Sequence, residues 1–424
     1  MQLGSKPLMR IVIVGQNAST QFGGEALLPL NYFRILRSRQ KEIWLVVHAR
    51  TQAELTALFP EARDRMHFVP DTWLHRLLNN CGLFLPARVN EFTFGLLSHL
   101  YTQVLQRRIV RRLVSEHQID VVHEPTPVSA TVPSLMFGLG VPVVIGPMNT
   151  SVKFPLAFRS RQNPIIDLLI AIGYQCVDFF NRLFPGKIKA ETVLVANDRT
   201  KQALPAGVQG KIIELVENGV DFSVWRSEST VSKEPNPQVH FVFLGRLVDW
   251  KGVDLLLEAF APVVAQTNAV LEIIGDGKMR EELEAQTARL AIDDSVIFSG
   301  WLSQEQCAIK LQQADAMVMP SLREPGGAVV LEAMAVGLPV IATNWGGPAD
   351  YMDSTCGILV EPASKEGFVQ GLADAMLKLA HSPELRQSMA CAGRERVLEH
   401  FDWERKVDRI LEIYQQTIDP CPKH

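Results

Sequence analysis

Short apolar runs rich in Val and Ile, each bounded by turn residues, recur along the first half of the chain: RIVIVG at 10–15, EIWLVVH at 42–48, IDVVH at 119–123, VPVVIG at 141–146 and TVLVA at 192–196. Most of the segments between them are long enough for helices, which is the spacing of βα units and predicts a parallel sheet wrapped by helices. A polar stretch, SESTVSKEPNPQ at 227–238, reads as a linker or surface loop. The pattern then restarts with VHFVFLG at 239–245, VLEIIG at 270–275, VIFSG at 296–300, AMVMP at 316–320, PVIAT at 339–343 and GILV at 357–360. The expected fold class is therefore α/β, with two Rossmann-like doubly wound domains facing an interdomain cleft. The first is placed at 1–221 and the second at 222–400. Ligands of open α/β sheets bind beyond the carboxyl ends of the strands, so the loops after the strands are where chemistry is expected.

Composition agrees with two globular domains: 424 residues, 47% hydrophobic and 21% charged, exceed what one core usually organises. The lead MQLGSKPLMRIVIVGQN has too short an apolar run for a signal peptide or a membrane span, so a cytoplasmic location is expected. The six cysteines, at 81, 176, 307, 356, 391 and 421, form no CxxC pair, and no His cluster stands at metal-ligand spacing. Reduced thiols and no metal site are the expectation.

Charge is unevenly divided. Residues 1–220 hold 24 Lys and Arg against 16 Asp and Glu, whereas 221–424 hold 18 against 30. The cations of the first half gather in LQRRIVRRLV (Arg107, Arg108, Arg111, Arg112) and around the apolar stretch 154–189 (Arg159, Arg161, Arg182, Lys187, Lys189). Two readings of the second pattern stand side by side: an interfacial helix on an anionic membrane surface at the inner face of the membrane, or a buried helix with solvated basic ends. Nucleic acid is not an expected partner, because aromatic stacking positions and recognised binding motifs are missing.

Two loops carry candidate chemistry. In SLREPGGAVVLEAMAVGLPVIA, at 321–342, Pro325, Gly326 and Gly327 break the chain before a helix that begins near Ala328 and stops at Gly337, about three turns. Its free N–H groups and positive dipole end suit a phosphate. Glu324 lies on the loop and Glu332 on the second turn, where sugar or ribose hydroxyls could donate to them; an internal Arg or Lys partner for Glu332 and plain solvation of Glu324 are the alternatives. In FLGRLVDWKGVDLLLEAF, at 243–260, Arg246 and Lys251 occupy the loop between a strand end and a helix beginning near Val253. Cations so placed can hold a diphosphate and stabilise its departure, and surface pairing with Asp249 or Asp254 is the alternative.

The succession GRLVDWKG, IIGDG, GW, PSLREPGGAVVLEAMAVGLPVIAT, GG and GILVEP resembles the second domain of glycosyltransferase family 4, retaining nucleotide-sugar transferases of GT-B architecture, densely over 239–363. Weaker matches lie in QFGGEALLPL, DVVHEPTP, VENGVDFSVW (216–225) and FDWERKVDRILEIY (401–414), the last resembling a closing helix, within 401–424, that returns toward the first domain. The resemblance implies that Arg246 and Lys251 bind the donor diphosphate, that Glu324 contacts the transferred sugar and that Glu332 holds the ribose. It further implies donor contacts at Gly275, Trp301, Gly326, Gly327 and Ala328, and at Gly23 and Gly24 in the first domain. No metal or other cofactor is implied beyond the nucleotide-diphosphate sugar itself. The implied partners are that donor and a glycan or lipid-linked acceptor, in polysaccharide or glycoconjugate synthesis.

Three positions depart from the family pattern: Gly326 stands where many members have an aromatic residue, Asp350 where Glu is frequent, and the loop GPMNTS at 146–151 lacks the family histidine. Asn149 is the expected stand-in, able to hydrogen-bond a sugar hydroxyl but not to act as a base. His123 and Glu124 are read as structural hydrogen-bonders. Other enzymes of the same fold, a sucrose-type synthase or nucleotide-sugar epimerase, and a donor-binding protein without turnover are the competing readings; a dinucleotide oxidoreductase is disfavoured because GxGxxG is missing after the first strand.

Overall fold

The structure, a computed structural model, describes residues 8–85, 89–90, 93–150, 152–161, 176–225 and 238–419. The chain divides into two compact units, one of Met1–Thr150, Gln162–Glu217 and Lys406–His424, the other of Ser151–Arg161 and Asn218–Arg405. The chain is α/β in two parallel sheets with helices, the GT-B architecture.

The first unit holds a seven-stranded sheet in the order β3-β2-β1-β4-β5-β6-β7. Its strands are β1 Arg10–Val14, β2 Glu42–His48, β3 Met66–Val69, β4 Val121–Glu124, β5 Val143–Met148, β6 Thr192–Val195 and β7 Lys211–Glu214. Every pairing is parallel. Ile11, Val12, Ile13 and Val14 are all fully buried, as are Leu45, Val46 and Val47. Strands covered on both faces need no polar alternation, so the runs read as continuous apolar segments. Two strands were not expected from the sequence, and both are sheet edges. MHFV carries a histidine, and KIIE is flanked by charges and mostly exposed; an edge strand has only one covered side and can dispense with the apolar run.

The second unit holds a six-stranded sheet in the order β10-β9-β8-β11-β12-β13. These are β8 His240–Leu244, β9 Val270–Ile274, β10 Val296–Gly300, β11 Ala316–Met319, β12 Val340–Thr343 and β13 Gly357–Val360, each within a residue of its expected place. In both sheets the strand order reverses beside the first strand of the unit, between β1 and β4 and between β8 and β11, the place where doubly wound sheets take ligands.

The core of the second unit includes Phe154 and Phe158, from the segment 152–161, with Phe158 edge-on to Phe368 at 5.8 Å. Arg161 forms two bonds to Asp254, at 3.2 and 2.6 Å, so this cation is committed inside the second unit and is not a solvated basic end. Lys187 is likewise no surface charge: it is fully buried and donates to the carbonyl of Ser129. The rest of the apolar stretch lies partly outside the described residues, as does most of the polar segment 227–238. Among the described residues no helix is long and apolar enough to cross a membrane, and Cys81, Cys176, Cys307, Cys356 and Cys391 are free thiols.

Candidate active site

At the carboxyl edge of the second sheet, three loops are laced together by backbone bonds. Gly245 N donates to Ile274 O at 3.0 Å, Leu247 N to Asp276 O at 2.9 Å and Gly275 N to Gly300 O at 2.8 Å. Gly275 has φ +135°, and a Cβ there would stand 2.0 Å from Gly245 O, so only glycine lets the two loops touch. Lys251 ends a single turn, Asp249–Lys251, whose next residue Gly252 would drive a Cβ to 2.4 Å from Pro320 O. This close approach of the Lys251 turn to the end of β11 brings the Lys251 ammonium onto the Glu324 carboxylate as an ion pair, both side chains 13% exposed. The ammonium also lies beside Gly245, 3.6 Å from where a Cβ would be.

Arg246 is exposed, and among the described residues its guanidinium has no partner. The surface pairing entertained for the two cations does not form: Asp254 is held by Arg161, which also donates to the Asp249 carbonyl at 3.3 Å.

The helix Ala328–Ala335 is eight residues, nearer two turns than three, because Gly337 at φ +78° turns the chain and donates to Met334 O. Gly327 caps its start in the left-handed region, φ 80°, with no side-chain cap. Its first-turn N–H groups are thus not taken by a capping side chain, and Ala328 is the first helical residue. Behind Glu324 the Gly346–Gly347 pair closes the loop: Gly347 N donates to Glu324 O at 2.8 Å, and a Cβ on Gly347 would lie 1.8 Å from Gly326 O. Glu332 sits on the second turn of this helix. Among the described residues it has neither an ion-pair nor a hydrogen-bond partner, so the internal Arg or Lys considered for it is not there. Burial alone pushes its carboxyl up to about 7, and its charge in turn helps push Cys307, already raised by burial, up to about 11. Trp301, directly after β10, is 77% exposed. The second unit therefore carries Arg246, Lys251, Gly275, Trp301, Glu324, Gly326, Gly327, Ala328 and Glu332 on the loops and helix start that follow its strands.

Gly23, Gly24 and Asn149 belong to the first unit. Gly23, φ +86°, caps the helix Gly24–Ser38, and open space adjoins both glycines, with no atom within 4 Å of a Cβ at either. Asn149 is buried, and its amide donates to Glu217 at 2.8 Å, which commits the group that was expected to meet a sugar hydroxyl. His123 donates from Nε2 to the Gly146 carbonyl and accepts from Tyr414 Oη at 2.6 Å through Nδ1. Glu124 accepts from Gln103 at 2.7 Å and from Ser134. Both are structural, with burial holding His123 neutral at about 4. Lys187 is the residue whose setting the sequence concealed: burial pushes it down to about 7 and pushes Glu124 up to about 7, each partly offset by the other's charge. Its only sequence signal was the FPGK break, which places it at the start of the short helix Gly186–Lys189.

Residues 226–396 match the family model described as glycosyl transferases group 1. The chain is 29% identical over 257 residues to N-acetyl-alpha-D-glucosaminyl L-malate synthase of Bacillus anthracis, covering 60% of this chain and 64% of that protein. It is 33% identical over 171 residues to a lipopolysaccharide core biosynthesis glycosyltransferase of Rhizobium meliloti, covering 40% and 48%. The matched segments span about half to two thirds of the length of these relatives. Among solved structures it is similar to a glycosyltransferase of Rickettsia africae, with TM-score 0.67, 15% identity and coverage of 97% of this chain and all of the other. It is also similar to the Anabaena protein HepE in complex with UDP, with TM-score 0.66, 17% identity and coverage of 96% and 100%.

Proposed function

We propose that this chain, a GT-B protein whose second unit belongs to the group 1 glycosyltransferases, moves a sugar with retention from a nucleotide-diphosphate donor to a glycan or lipid-linked acceptor, in polysaccharide or glycoconjugate synthesis. The observation that carries the reading is Glu332: a carboxylate raised by burial and without a partner among the described residues, one turn behind an uncapped helix start on the sheet edge that also holds Arg246 and Lys251. A protein does not keep such a group for stability. The ribose hydroxyls of a nucleotide whose phosphates rest on the helix start would satisfy it.

Arg246, Lys251 and the helix end supply the positive charge that a departing diphosphate requires, so the proposed reaction is metal-independent. Lys251 is paired with Glu324; as the diphosphate enters, the ammonium turns to it and Glu324 is released to accept from the sugar hydroxyls. Retention follows if the acceptor attacks the face from which the diphosphate leaves and passes its proton to the departing phosphate oxygen. That HepE, of the same fold, was solved with UDP and with UDP-glucose supports a uridine donor as the first to try. Acceptor binding falls to the first unit, where Gly23 and Gly24 leave open space. Synthesis from a nucleotide sugar places the work in the cytoplasm, at the inner membrane face when the acceptor is lipid-linked.

A panel of nucleotide sugars tested by thermal shift identifies the donor, since a ligand at a hundred times its dissociation constant adds about 2.7 kcal/mol of stability. Transfer of label from that donor to acceptor is then measured for Glu332→Ala and Lys251→Ala. Both should lose transfer by at least about a hundredfold. Wild-type turnover in both variants overturns the assignment, whereas donor binding without turnover on any acceptor leaves a donor-binding protein.

A further inference from the structure

We propose that His48, Asp71 and His75 of the first unit bind one divalent cation of the zinc class, a site beyond the transfer reaction and sharing none of its residues. One ligand atom from each of the three lies within 4.8 Å of the others. The fold explains a cluster that sequence spacing hid. His48 ends β2 and pairs in register with Val69, the last residue of β3. Asp71 follows two residues later, and His75 stands in the first turn of the helix Trp73–Gly82. Without β3, the edge strand that the sequence does not announce, the two histidines are simply 27 positions apart.

His75 offers a defined lone pair, and His48 a ring nitrogen that can be given one. Thr102 donates its hydroxyl to Ser98 O at 2.9 Å, so it accepts from His75 Nε2, also at 2.9 Å; the ring proton is on Nε2 and the lone pair is on Nδ1. A ring N–H anchored from behind in this way is the arrangement that orients a coordinating imidazole. His48 is 3% exposed, and among the described residues its Nε2 has no hydrogen-bond partner. A cation would replace two bonds at His75 Nδ1, from the Thr72 hydroxyl at 3.0 Å and from Thr72 N at 3.2 Å, which belong to the capping box of the helix, and one from Arg50 N to His48 Nδ1 at 3.3 Å. Coordination through His48 Nε2 moves that ring's proton to Nδ1 and gives up the last of these.

Two imidazoles and one carboxylate with a fourth position open to water suit zinc, cobalt or nickel better than magnesium or calcium, which favour oxygen. In a tetrahedral zinc site the ligand atoms stand about 3.3–3.5 Å apart, so the three must draw in by roughly an ångström. Asp71 is exposed and free to do so, although it is also the nearby counter-charge of Arg50. The bound cation would tie the start of the helix Trp73–Gly82 to the end of β2.

The test is zinc binding by the full chain, read by metal analysis after dialysis against buffered zinc and by competition with a chromophoric chelator. One zinc per chain is expected, with affinity reduced at least tenfold in His48→Gln and Asp71→Asn, and by about 10–100-fold in Thr102→Val, which touches no metal. Zinc should raise the melting temperature of the wild type and not that of Asp71→Asn, whose exposed side chain can be changed without disturbing the fold. Cobalt should give the visible absorption of a four-coordinate nitrogen and oxygen site. Less than one zinc per chain, or equal affinity in wild type, His48→Gln and Asp71→Asn, overturns the proposal, including the case in which the metal sits on the exposed thiol of Cys391.

Discussion

The carboxyl edges of the two sheets are built on the same topology, and around β4 and β5 of the first and β8 and β11 of the second they treat their polar groups in opposite ways. At the edge of the first sheet His123, Glu124, Asn149 and Lys187 are buried and bonded to one another's surroundings: to Gly146 and Tyr414, to Gln103 and Ser134, to Glu217, and to Ser129. At the edge of the second, Arg246 and Glu332 have no partner among the described residues and Lys251 is held only by Glu324. A polar group satisfied by the protein supports the fold; one that is left wanting has been kept for something that arrives later. These two stretches thus separate a structural use of charge from a ligand-binding one, although both use lysine, glutamate and glycine.

The sharpest way to break this contrast is to remove the two lysines. Lys251→Ala should lower kcat/KM about 10²–10³-fold while costing less stability than the loss of a fully buried cation, because the ion pair it dissolves keeps some contact with solvent. Lys187→Ala should do the reverse. It leaves Glu124 and Glu25 without their buried cation and costs roughly 3–5 kcal/mol, with activity per folded molecule close to wild type. Chemical denaturation and initial rates on both variants check the pair, and an exchange of the two outcomes would end the distinction.

Glu332 gives the next largest effect, through pH. Its carboxyl is raised from 4.5 to about 7 by burial. The folded chain therefore holds this proton more tightly than the unfolded chain does, so the group's penalty is absent below about pH 4.5, grows as pH rises and is complete above about 7. Glu332→Gln removes the penalty, and its stability should gain on the wild type by about 1–3 kcal/mol between pH 5 and pH 8. Donor affinity should move the opposite way. Ribose hydroxyls donate best to the ionised carboxylate, so wild-type affinity should fall up to about tenfold per unit as pH drops below 7, and that of Glu332→Gln should be weaker and flat. Calorimetry across this range distinguishes a ligand-facing carboxylate from one that is merely buried.

What the sequence disclosed divides along the same line. Eleven strands were legible because each is an apolar run, even β10 and β13 at the edges of the second sheet; β3 and β7 were not, because MHFV carries a histidine and KIIE is short, charged at both ends and mostly solvent-exposed. Arg246, Lys251, Glu324 and Glu332 were legible as candidates because charge is out of place beside a glycine-punctuated strand end. Their state was not: that Asp254 is taken by Arg161 and is not the partner of Arg246 depends on a pairing 93 residues apart. Lys187 looked like a surface cation, since nothing in FPGKIK announces that Glu124, 63 positions earlier, will be buried beside it. Local pattern reports which groups are unusual, and only tertiary contacts report which of them are satisfied.

The glycines sharpen the comparison with the smallest expected effects. Gly24, at the first turn of the helix Gly24–Ser38, has no atom within 4 Å of a Cβ, so Gly24→Ala meets no obstacle and should stabilise the first unit by a few tenths to about 1 kcal/mol, since alanine loses less backbone entropy on folding. Gly347→Ala puts its methyl 1.8 Å from the Gly326 carbonyl and must push back the loop that carries Glu324. A cost of roughly 1–3 kcal/mol is expected, together with a loss of transfer that Gly24→Ala need not share unless the open space beside it is where the acceptor lies. Measuring both variants for stability and for acceptor KM decides this: a raised KM in a more stable Gly24→Ala protein would show that the first unit, too, has left one patch of its edge unfilled for a ligand.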